Sequence, residues 1–316
     1  MSGSRQARPP APANRPPLPS QDGRTCVVTG STSGLGRETA LALAQAGAHV
    51  VLAARSEEKI EQTRTAITRQ VPGARLDSLV ADLADLASVR HAAGRAARLG
   101  AIDVLVNNAG VMATPRTRTV DGLDLQMATN HFGPFLLTGL LLPQLVASGR
   151  GRVVNVSSAM HHLARSAPLG DPRGAHGRYR RWPVYAQTKL ANLLMMFELD
   201  RRCREAGLPV EALAAHPGYA ATHLLSYGQT MRASGPLSSI LDATARATAQ
   251  SATAGALPIL MAATADLPGG TFCGPDGFQE LRGGPTVVRP SRLARDSSAQ
   301  RALWELSERT VGLAWP

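Results

Sequence analysis

The sequence predicts an α/β fold: a doubly wound, mainly parallel sheet of seven strands with helices on both faces. Short apolar runs of strand length alternate with longer helical segments along the chain. A glycine-rich turn joins the first strand to the first helix, and small or polar residues follow the later strands. Ligands bind at the carboxyl ends of the strands in such sheets, so these residues predict a binding crevice at that edge.

The composition fits a large folded domain and argues against several functional classes. Of the 316 residues, 44% are hydrophobic, which is enough for a substantial core. The net charge of +11 would suit a polyanion. However, the arginines are scattered, aromatic residues make up only 4%, and no zinc-ligand spacing occurs. We therefore expect a small-molecule substrate, no nucleic-acid partner and no bound metal.

Several features bear on location and domain organisation. Three widely spaced cysteines favour a reducing compartment over a disulfide framework. Residues 1–20 are rich in proline and arginine and lack the apolar segment of a signal peptide, which predicts a disordered tail. No apolar run is long enough for a stable membrane span. With 32 arginines and 2 lysines, a bias typical of GC-rich coding, the chain is predicted to be bacterial and cytoplasmic, with residues 21–316 forming one domain.

The first strand, Thr25 to Thr29, leads through a glycine-rich turn into a helix. Glycines let the backbone approach a pyrophosphate closely, and the N–H groups at the start of the helix stabilise its charge. The sequence therefore predicts a phosphate-binding turn at this point. Its residues are Gly30, Ser31, Ser33, Gly34, Leu35 and Gly36.

The second strand, His49 to Ala54, indicates which cofactor this turn would hold. An acidic residue at the end of that strand would bind a ribose 2′-hydroxyl. Arg55 follows the strand instead, and a guanidinium suits a 2′-phosphate. NADP(H) is therefore preferred over NAD(H). Arg37 either adds to this site or is a solvated helix residue.

The third strand, Leu76 to Val80, runs into Asp82 and Leu83, which we assign to the cofactor site. Asp82 either accepts a hydrogen bond from an adenine amino group or caps the helix that starts near Ala87. Asp85 is the better candidate for the cap. The polar helix between the second and third strands spans about Glu57 to Gln70.

The fourth strand, Ile102 to Val106, ends in an Asn-Asn-Ala-Gly sequence. Its small residues leave room for a ribose, and its amides can brace neighbouring strand ends. The cofactor residues assigned here are Asn108, Ala109 and Gly110. A long apolar helical pattern from Leu123 to Leu145 follows, and Asn130 in its middle either breaks the helix locally or has a partner.

The fifth strand, Gly151 to Val156, is followed by a pair of serines ending at Ser158. The next 26 residues are rich in arginine, histidine and glycine and are predicted to form a basic lid. Because no carboxylate recurs at ligand spacing, we interpret the adjacent His161 and His162 as solvated loop residues.

Tyr185 and Lys189 lie one helical turn apart at the start of an apolar helix, so their side chains point into the same space. Lysine is rare in this chain, which marks Lys189 as a functional candidate. After the sixth strand, Leu208 to Ala215, come Pro217, Gly218 and Thr222. Residues from about 223 to 245 are predicted to be a substrate lid.

The last third of the chain carries weaker signals. The alanine-rich segment from Ala243 to Ala263 is predicted to be helical. The segment Gly269 to Gly274 is predicted to be a seventh strand, and Ala299 to Gly312 a final amphipathic helix. Apolar residues after Thr222 favour a lipophilic substrate, whereas the arginines of the basic lid favour an anionic one.

These motifs, in this order, resemble the short-chain dehydrogenase/reductase family over about Gly23 to Thr222. The wide interval between Ser158 and Tyr185 is similar to that of the retinol-dehydrogenase-like and WW-domain-oxidoreductase-like branch. The resemblance implies that Tyr185 is the general acid or base, with its pKa lowered by Lys189 and the oxidised nicotinamide. It further implies that Ser158 stabilises the oxyanion, that Asn130 holds a water linking Lys189 to solvent, and that Thr222 binds the nicotinamide carboxamide.

The resulting hypothesis is an NADP(H)-dependent enzyme that interconverts a carbonyl and an alcohol. One alternative is reduction of a carbon–carbon double bond by a member of the same family. Another is a regulatory module that binds NADP(H) without turnover, although the intact Ser158, Tyr185 and Lys189 disfavour it. Relatives pair through the helices that carry Asn130 and Tyr185, so a homo-oligomer is expected by analogy.

Overall fold

The structure is a computed structural model that describes residues 18–172, 178–218 and 250–315. Within these ranges one eight-stranded sheet has the order β3-β2-β1-β4-β5-β6-β7-β8. Neighbouring strands are parallel except β7 and β8, which are antiparallel. The strands are β1 (Thr25–Thr29), β2 (His49–Ala54), β3 (Leu76–Val80), β4 (Val104–Asn107), β5 (Gly151–Val156), β6 (Val210–Ala215), β7 (Phe272–Pro275) and β8 (Pro285–Val287).

Helices cover both faces of this sheet, as the sequence predicts. One core cluster joins the sheet to α3, α5, α6 and α8, and the other joins it to α1, α2 and α7. Successive strand residues point to opposite faces, so Val27 lies in the first cluster and Cys26 and Val28 lie in the second. The helices are α1 (Gly34–Gln45), α2 (Glu57–Gln70), α3 (Leu86–Ala96), α4 (Leu125–Met127), α5 (Gly133–Ala147), α6 (Arg181–Glu205), α7 (Ala252–Thr264) and α8 (Ser297–Val311).

The predicted α/β class is confirmed, but the strand count is not. The strand β8 is an eighth strand that the sequence analysis missed, because three residues beginning with proline carry no apolar pattern. It pairs antiparallel with β7 at the edge of the sheet. The predicted first, second, third and fifth strands have the observed bounds, while β4, β6 and β7 begin two or three residues later than predicted.

The predicted helix around Asn130 is interrupted. The turn α4 is followed by a π-helical turn, Ala128–Phe132, and only then by α5. Such turns occur mostly inside helices and frequently at functional sites. Asn130 lies within this π-helical turn, so both features that the sequence left open are present: a local break in the helix and, as described below, hydrogen-bond partners.

The C-terminal helix α8 packs against α6. Its Trp304 lies edge-on to Phe135 of α5, with ring centroids 4.9 Å apart, and the guanidinium of Arg202 is 4.7 Å from the Trp304 ring. Trp315 also contacts Phe135, at 5.0 Å. Trp304 and Trp315 therefore pack against α5 and α6, the helices through which the expected homo-oligomer would form.

Some predicted features fall outside the ranges that the structure describes. These are residues 1–17 of the tail, residues 173–177 of the basic lid, Thr222, the substrate lid at about 223–245, and the start of the predicted alanine-rich helix up to residue 249. Among the described residues, no helix has both the length and the apolar character needed to cross a bilayer.

Candidate active site

The carboxyl ends of β1, β4, β5 and β6 lie side by side at one edge of the sheet. The turn at Gly30 follows β1, Asn108 follows β4, Ser158 follows β5 and Pro217 follows β6. The strand order reverses between β1 and β4, which is where doubly wound sheets bind their ligands. Residues from four separate parts of the chain therefore line one crevice.

Tyr185 and Lys189 lie on α6 above this edge, and both are almost fully buried. The Lys189 Nζ is 5.7 Å from the centroid of the Tyr185 ring. It donates a hydrogen bond of 3.1 Å to the carbonyl oxygen of Val156, the last residue of β5. The two side chains thus share one space, as their spacing predicts, and a backbone oxygen holds the ammonium there.

In the protein without cofactor, burial is the main influence on the pKa values of Tyr185 and Lys189. It raises the pKa of Tyr185 to about 12, while a hydrogen bond with the Ser158 side chain opposes the rise. It lowers the pKa of Lys189 to about 8. From the sequence, Lys189 and the nicotinamide are expected to lower the pKa of Tyr185. In the protein without cofactor this pKa is raised instead, because the loss of solvation outweighs the other interactions of the phenol.

The structure separates the roles of the two adjacent serines. The Ser157 hydroxyl is buried and donates to the carbonyl oxygen of Lys189 at 2.8 Å, so it braces α6 against β5. Ser158 is half-buried and caps the short 3₁₀-helix Ala159–Leu163, its Oγ accepting from the Met160 amide at 3.3 Å. Of the two serines, only Ser158 interacts with the Tyr185 phenol so as to lower its pKa.

Asn130 faces the same site from the π-helical turn. Its Nδ2 donates to the Val111 carbonyl and to the Thr188 hydroxyl, both at 2.9 Å, and its Oδ1 accepts from the Val111 amide at 2.7 Å. A Cβ placed on Gly110 would lie 3.1 Å from this Oδ1 and 3.7 Å from the Lys189 Nζ. The missing side chain of Gly110 therefore leaves a space that adjoins both Asn130 and Lys189.

The side-chain amides at the end of β4 brace the strand ends, as predicted. Asn107 is buried and bonds the Asn155 side chain at 3.0 Å, while Asn108 Nδ2 donates to the Thr29 carbonyl at 2.8 Å. The Ala109 amide donates to the Thr29 hydroxyl at 3.0 Å. These bonds tie the ends of β1, β4 and β5 together and fix the floor of the crevice.

The turn after β1 fits a phosphate group. Gly30 and Gly34 have φ of +66° and +50°, a region that favours glycine. A Cβ on Gly36 would overlap the Gly30 carbonyl oxygen, so the turn can close only with glycine there. Among the described residues, no side chain caps the N-terminus of α1, whereas α2, α3 and α8 are capped. The first N–H groups of α1 therefore remain for an anion.

The remaining cofactor candidates follow β2 and β3. Arg55 is exposed directly after β2. Asp82 accepts from the Ala84 amide at 2.9 Å, and Asp85 caps α3 as predicted, accepting from Ala87 and Ser88. Leu83 is buried in the core beside α5. The Arg37 side chain is half exposed and lies 3.7 Å from Glu38, which fits a solvated helix residue.

The prediction that His161 is solvated is wrong, while His162 is exposed. His161 is fully buried because the backbone near Ser291 folds over it, and the ring packs against Phe272. His216 and Glu280 also form a pair at this edge that the sequence analysis did not single out. The one sequence feature that could have indicated this pair is the position of His216 directly before Pro217.

Comparisons with known proteins agree with this arrangement. A family model described as short chain dehydrogenase matches residues 24–169. Retinol dehydrogenase 13 from Homo sapiens is 36% identical over 301 residues, which cover 93% of this chain and 86% of that protein. Polyprenol dehydrogenase from Mus musculus is 39% identical over 305 residues, covering 94% and 87%.

Solved structures give the same result. An uncharacterized protein from Mycobacterium Paratuberculosis is 41% identical with a TM-score of 0.77, covering 95% of this chain and 97% of that one. A gluconate 5-dehydrogenase from Burkholderia cenocepacia, in complex with NADP and tartrate, is 27% identical with a TM-score of 0.59, covering 80% and 93%. This chain belongs to the NAD(P)-dependent short-chain dehydrogenase/reductase family, in its retinol-dehydrogenase-like branch.

Proposed function

We propose that this protein is an NADP(H)-dependent oxidoreductase that interconverts a carbonyl and an alcohol, with Tyr185 as the general acid and base. The observation that carries this proposal is the joint burial of Tyr185 and Lys189 beside the Ser158 hydroxyl, above the carboxyl ends of the strands. A phenol, a hydroxyl and an ammonium in one water-poor site are the groups that protonation of a carbonyl oxygen requires.

The protonated form of Tyr185 is the form that carbonyl reduction requires. With a pKa of about 12 the phenol carries its proton at neutral pH and can give it to a developing alkoxide. Ser158 donates to the same oxygen and stabilises its negative charge. Oxidation of an alcohol runs this step in reverse and needs the phenolate, which a protonated Lys189 stabilises.

The cofactor, when bound, donates or accepts a hydride at its nicotinamide ring. The uncapped N-terminus of α1 and the glycine turn support a pyrophosphate site, and Arg55 supports a preference for a 2′-phosphate. The residues proposed to hold the cofactor are Gly30, Ser31, Ser33, Gly34, Leu35, Gly36, Arg55, Asp82, Leu83, Asn108, Ala109, Gly110, Tyr185, Lys189, Pro217, Gly218 and Thr222.

Asn130 is proposed to hold a water that links Lys189 to solvent. The space left by Gly110 supports this role, since it adjoins both the Asn130 Oδ1 and the Lys189 Nζ. A pKa of about 8 lets Lys189 release and regain a proton near neutral pH, as a relay requires. In this proposal, Lys189 and the water resupply the proton that Tyr185 gives up in each reduction.

We further propose a lipophilic alcohol or aldehyde as the substrate. Trp182 lies one turn before Tyr185, its side chain is 43% exposed, and the two ring centroids are 6.4 Å apart. Leu163 and Leu169, on the segment between Ser158 and Tyr185, are also exposed. An apolar side chain beside the reactive phenol suits an apolar substrate, and two relatives are named for retinol and polyprenol.

A reducing cytoplasm is the proposed location. All three cysteines, Cys26, Cys203 and Cys273, are buried as free thiols. Such usage is typical of proteins from reducing compartments.

The experiment is a screen of NADPH and NADH oxidation against aldehydes and ketones graded in length and charge, with an enone included. We expect turnover of long apolar aldehydes, faster with NADPH, with the alcohol as product. Saturation of the enone double bond as the only reaction would favour the double-bond reductase. Tight NADPH binding without turnover of any compound would favour the regulatory module.

A further inference from the structure

Two histidines that the proposed chemistry does not use are fully buried, and both rings lie near Phe272, the first residue of β7. The His161 ring lies 5.5 Å from the Phe272 ring, edge-on, and the His216 ring lies 5.2 Å from it. Neither histidine is packed merely as an apolar ring, since each makes two hydrogen bonds. Those bonds define the position of the proton on each imidazole.

His161 carries its proton on Nδ1. Its Nε2 lies 3.1 Å from the backbone amide of Ser291, which can only donate, so Nε2 must accept. The Nδ1 therefore donates to the carbonyl oxygen of Ser158 at 2.7 Å. Burial lowers the pKa of His161 to about 4, so the ring stays neutral and keeps this arrangement at physiological pH.

His216 carries its proton on the other nitrogen. Its Nδ1 accepts from the Gly218 amide at 3.3 Å, and its Nε2 therefore donates to the Glu280 carboxylate at 2.9 Å. A Cβ on Gly274 would overlap the His216 Nε2, so the β7–β8 hairpin leaves room for the ring. The imidazole thus connects the turn after β6 to this hairpin.

We propose that His161 and His216 are positioning residues, held as opposite neutral tautomers, that fix Ser158 and the Pro217–Gly218 turn on the two sides of the reacting group. This inference rests on the proposed function, which assigns Ser158 to the substrate oxygen and the Pro217–Gly218 turn to the cofactor. The proposal predicts a different kinetic effect for each histidine. His161 acts through Ser158 on kcat, whereas His216 acts through the turn on cofactor affinity.

The backbone around Glu280 supports a specific role for its carboxylate. Gln279 and Glu280 have φ of +50° and +56°, a region that non-glycine residues rarely occupy. Backbone conformations of this kind persist where surrounding contacts hold them in place, and they cluster at functional sites. From this backbone the Glu280 carboxylate accepts a hydrogen bond from His216, and that bond lowers the pKa of the carboxyl group.

The test for His161 compares two amide replacements of the ring. Asparagine places an N–H near the position of Nδ1 and keeps the donor to Ser158, whereas glutamine places its amide near Nε2 and keeps only the contact to Ser291. We expect His161→Gln to lower kcat roughly tenfold more than His161→Asn, with NADPH affinity unchanged in both. Equal losses in the two variants would contradict a positioning role.

The test for His216 uses its partner, because Glu280 is partly exposed and its replacement leaves the core intact. Glu280→Gln keeps an acceptor for the His216 Nε2, whereas Glu280→Leu removes it. We expect Glu280→Leu to raise the Kd for NADPH about fivefold to tenfold, and Glu280→Gln to change it little. Identical affinities in Glu280→Leu and the wild type would overturn the proposal.

NADPH affinity is measured by cofactor fluorescence and does not depend on any substrate. A wild-type protein that binds NADPH without reducing a carbonyl would refute the proposed function while leaving the Glu280 comparison decisive. Thermal unfolding of all four variants identifies any that fail to fold. If both His161 variants fail, the Glu280 pair still decides the proposal, with equal affinities against it and the expected difference in its favour.

Discussion

The two ends of the crevice are built in different ways. The cofactor end is formed by β1, α1, β2 and β3. It is proposed to bind the cofactor mainly through the backbone, with glycines of positive φ and uncapped N–H groups, and through one exposed arginine side chain. The proposed catalytic end, formed by β5, β6 and α6, contains buried side chains whose pKa values are shifted from their ordinary values. Short contiguous motifs specify the first end. At the second end a local spacing pairs Tyr185 with Lys189, but their interactions with Ser158 and Val156 form only in the folded chain.

The largest expected effect is at the catalytic end. Tyr185→Phe removes the proposed proton donor, and kcat/KM for carbonyl reduction should fall by about 10³-fold. The Kd for NADPH should stay within about twofold, because the ring is kept. The control is Tyr179→Phe, which removes a hydroxyl that bonds Gln126 and Thr114 instead. Full activity in Tyr185→Phe would refute the mechanism.

The next effect tests the backbone construction of the cofactor end. Gly36→Ala would place a Cβ against the Gly30 carbonyl and distort the turn, so the Kd for NADPH should rise on the order of a hundredfold. Gly94→Ala in α3 is the matched control, because nothing lies within 4 Å of the added atom there. Similar NADPH affinities in the two variants would show that the turn does not contact the cofactor.

A smaller effect is expected from Arg55, which is proposed to bind the 2′-phosphate. Arg55→Ala should weaken NADPH binding about tenfold and leave NADH binding nearly unchanged. Arg69→Ala, an exposed arginine at the end of α2, serves as the control. Equal weakening of both cofactors would remove the basis for preferring NADP(H).

The smallest effect concerns the pH dependence of stability. The pKa of Lys189 is about 8 in the folded protein against 10.5 for an exposed lysine, so between these values the unfolded chain binds more protons. Stability from this group therefore rises as pH increases through that window. Buried thiols and Tyr185, whose pKa values are raised, act in the opposite direction above pH 9.

The contribution of Lys189 is isolated by comparison with Lys189→Met. The free energy of unfolding of the wild type should gain on the order of 1 kcal/mol relative to the variant between pH 8 and pH 10. Urea unfolding without cofactor at three pH values measures this difference. A constant difference across the range would mean that Lys189 titrates at its ordinary pKa.

The sequence was most informative where a few contiguous residues suffice. Helix periodicity brought Tyr185 and Lys189 together correctly, and the helix α2 has the predicted bounds. The edge strand β8 and the π-helical turn at Asn130 were not predictable as such. A three-residue strand has no periodicity of its own, and its pairing with β7 depends on tertiary position.

By itself, the sequence determined the fold class, the order of the strand-end motifs and the pairing of Tyr185 with Lys189. Tertiary structure decided the rest: that the Ser157 hydroxyl bonds the Lys189 carbonyl, that burial raises the pKa of Tyr185, and that His161 is buried. Asn130 and Thr188 are 58 positions apart, and His161 and Ser291 are 130 apart. Burial, and hydrogen bonds between residues so far apart in the sequence, arise only when the chain packs. A local sequence pattern therefore cannot predict them.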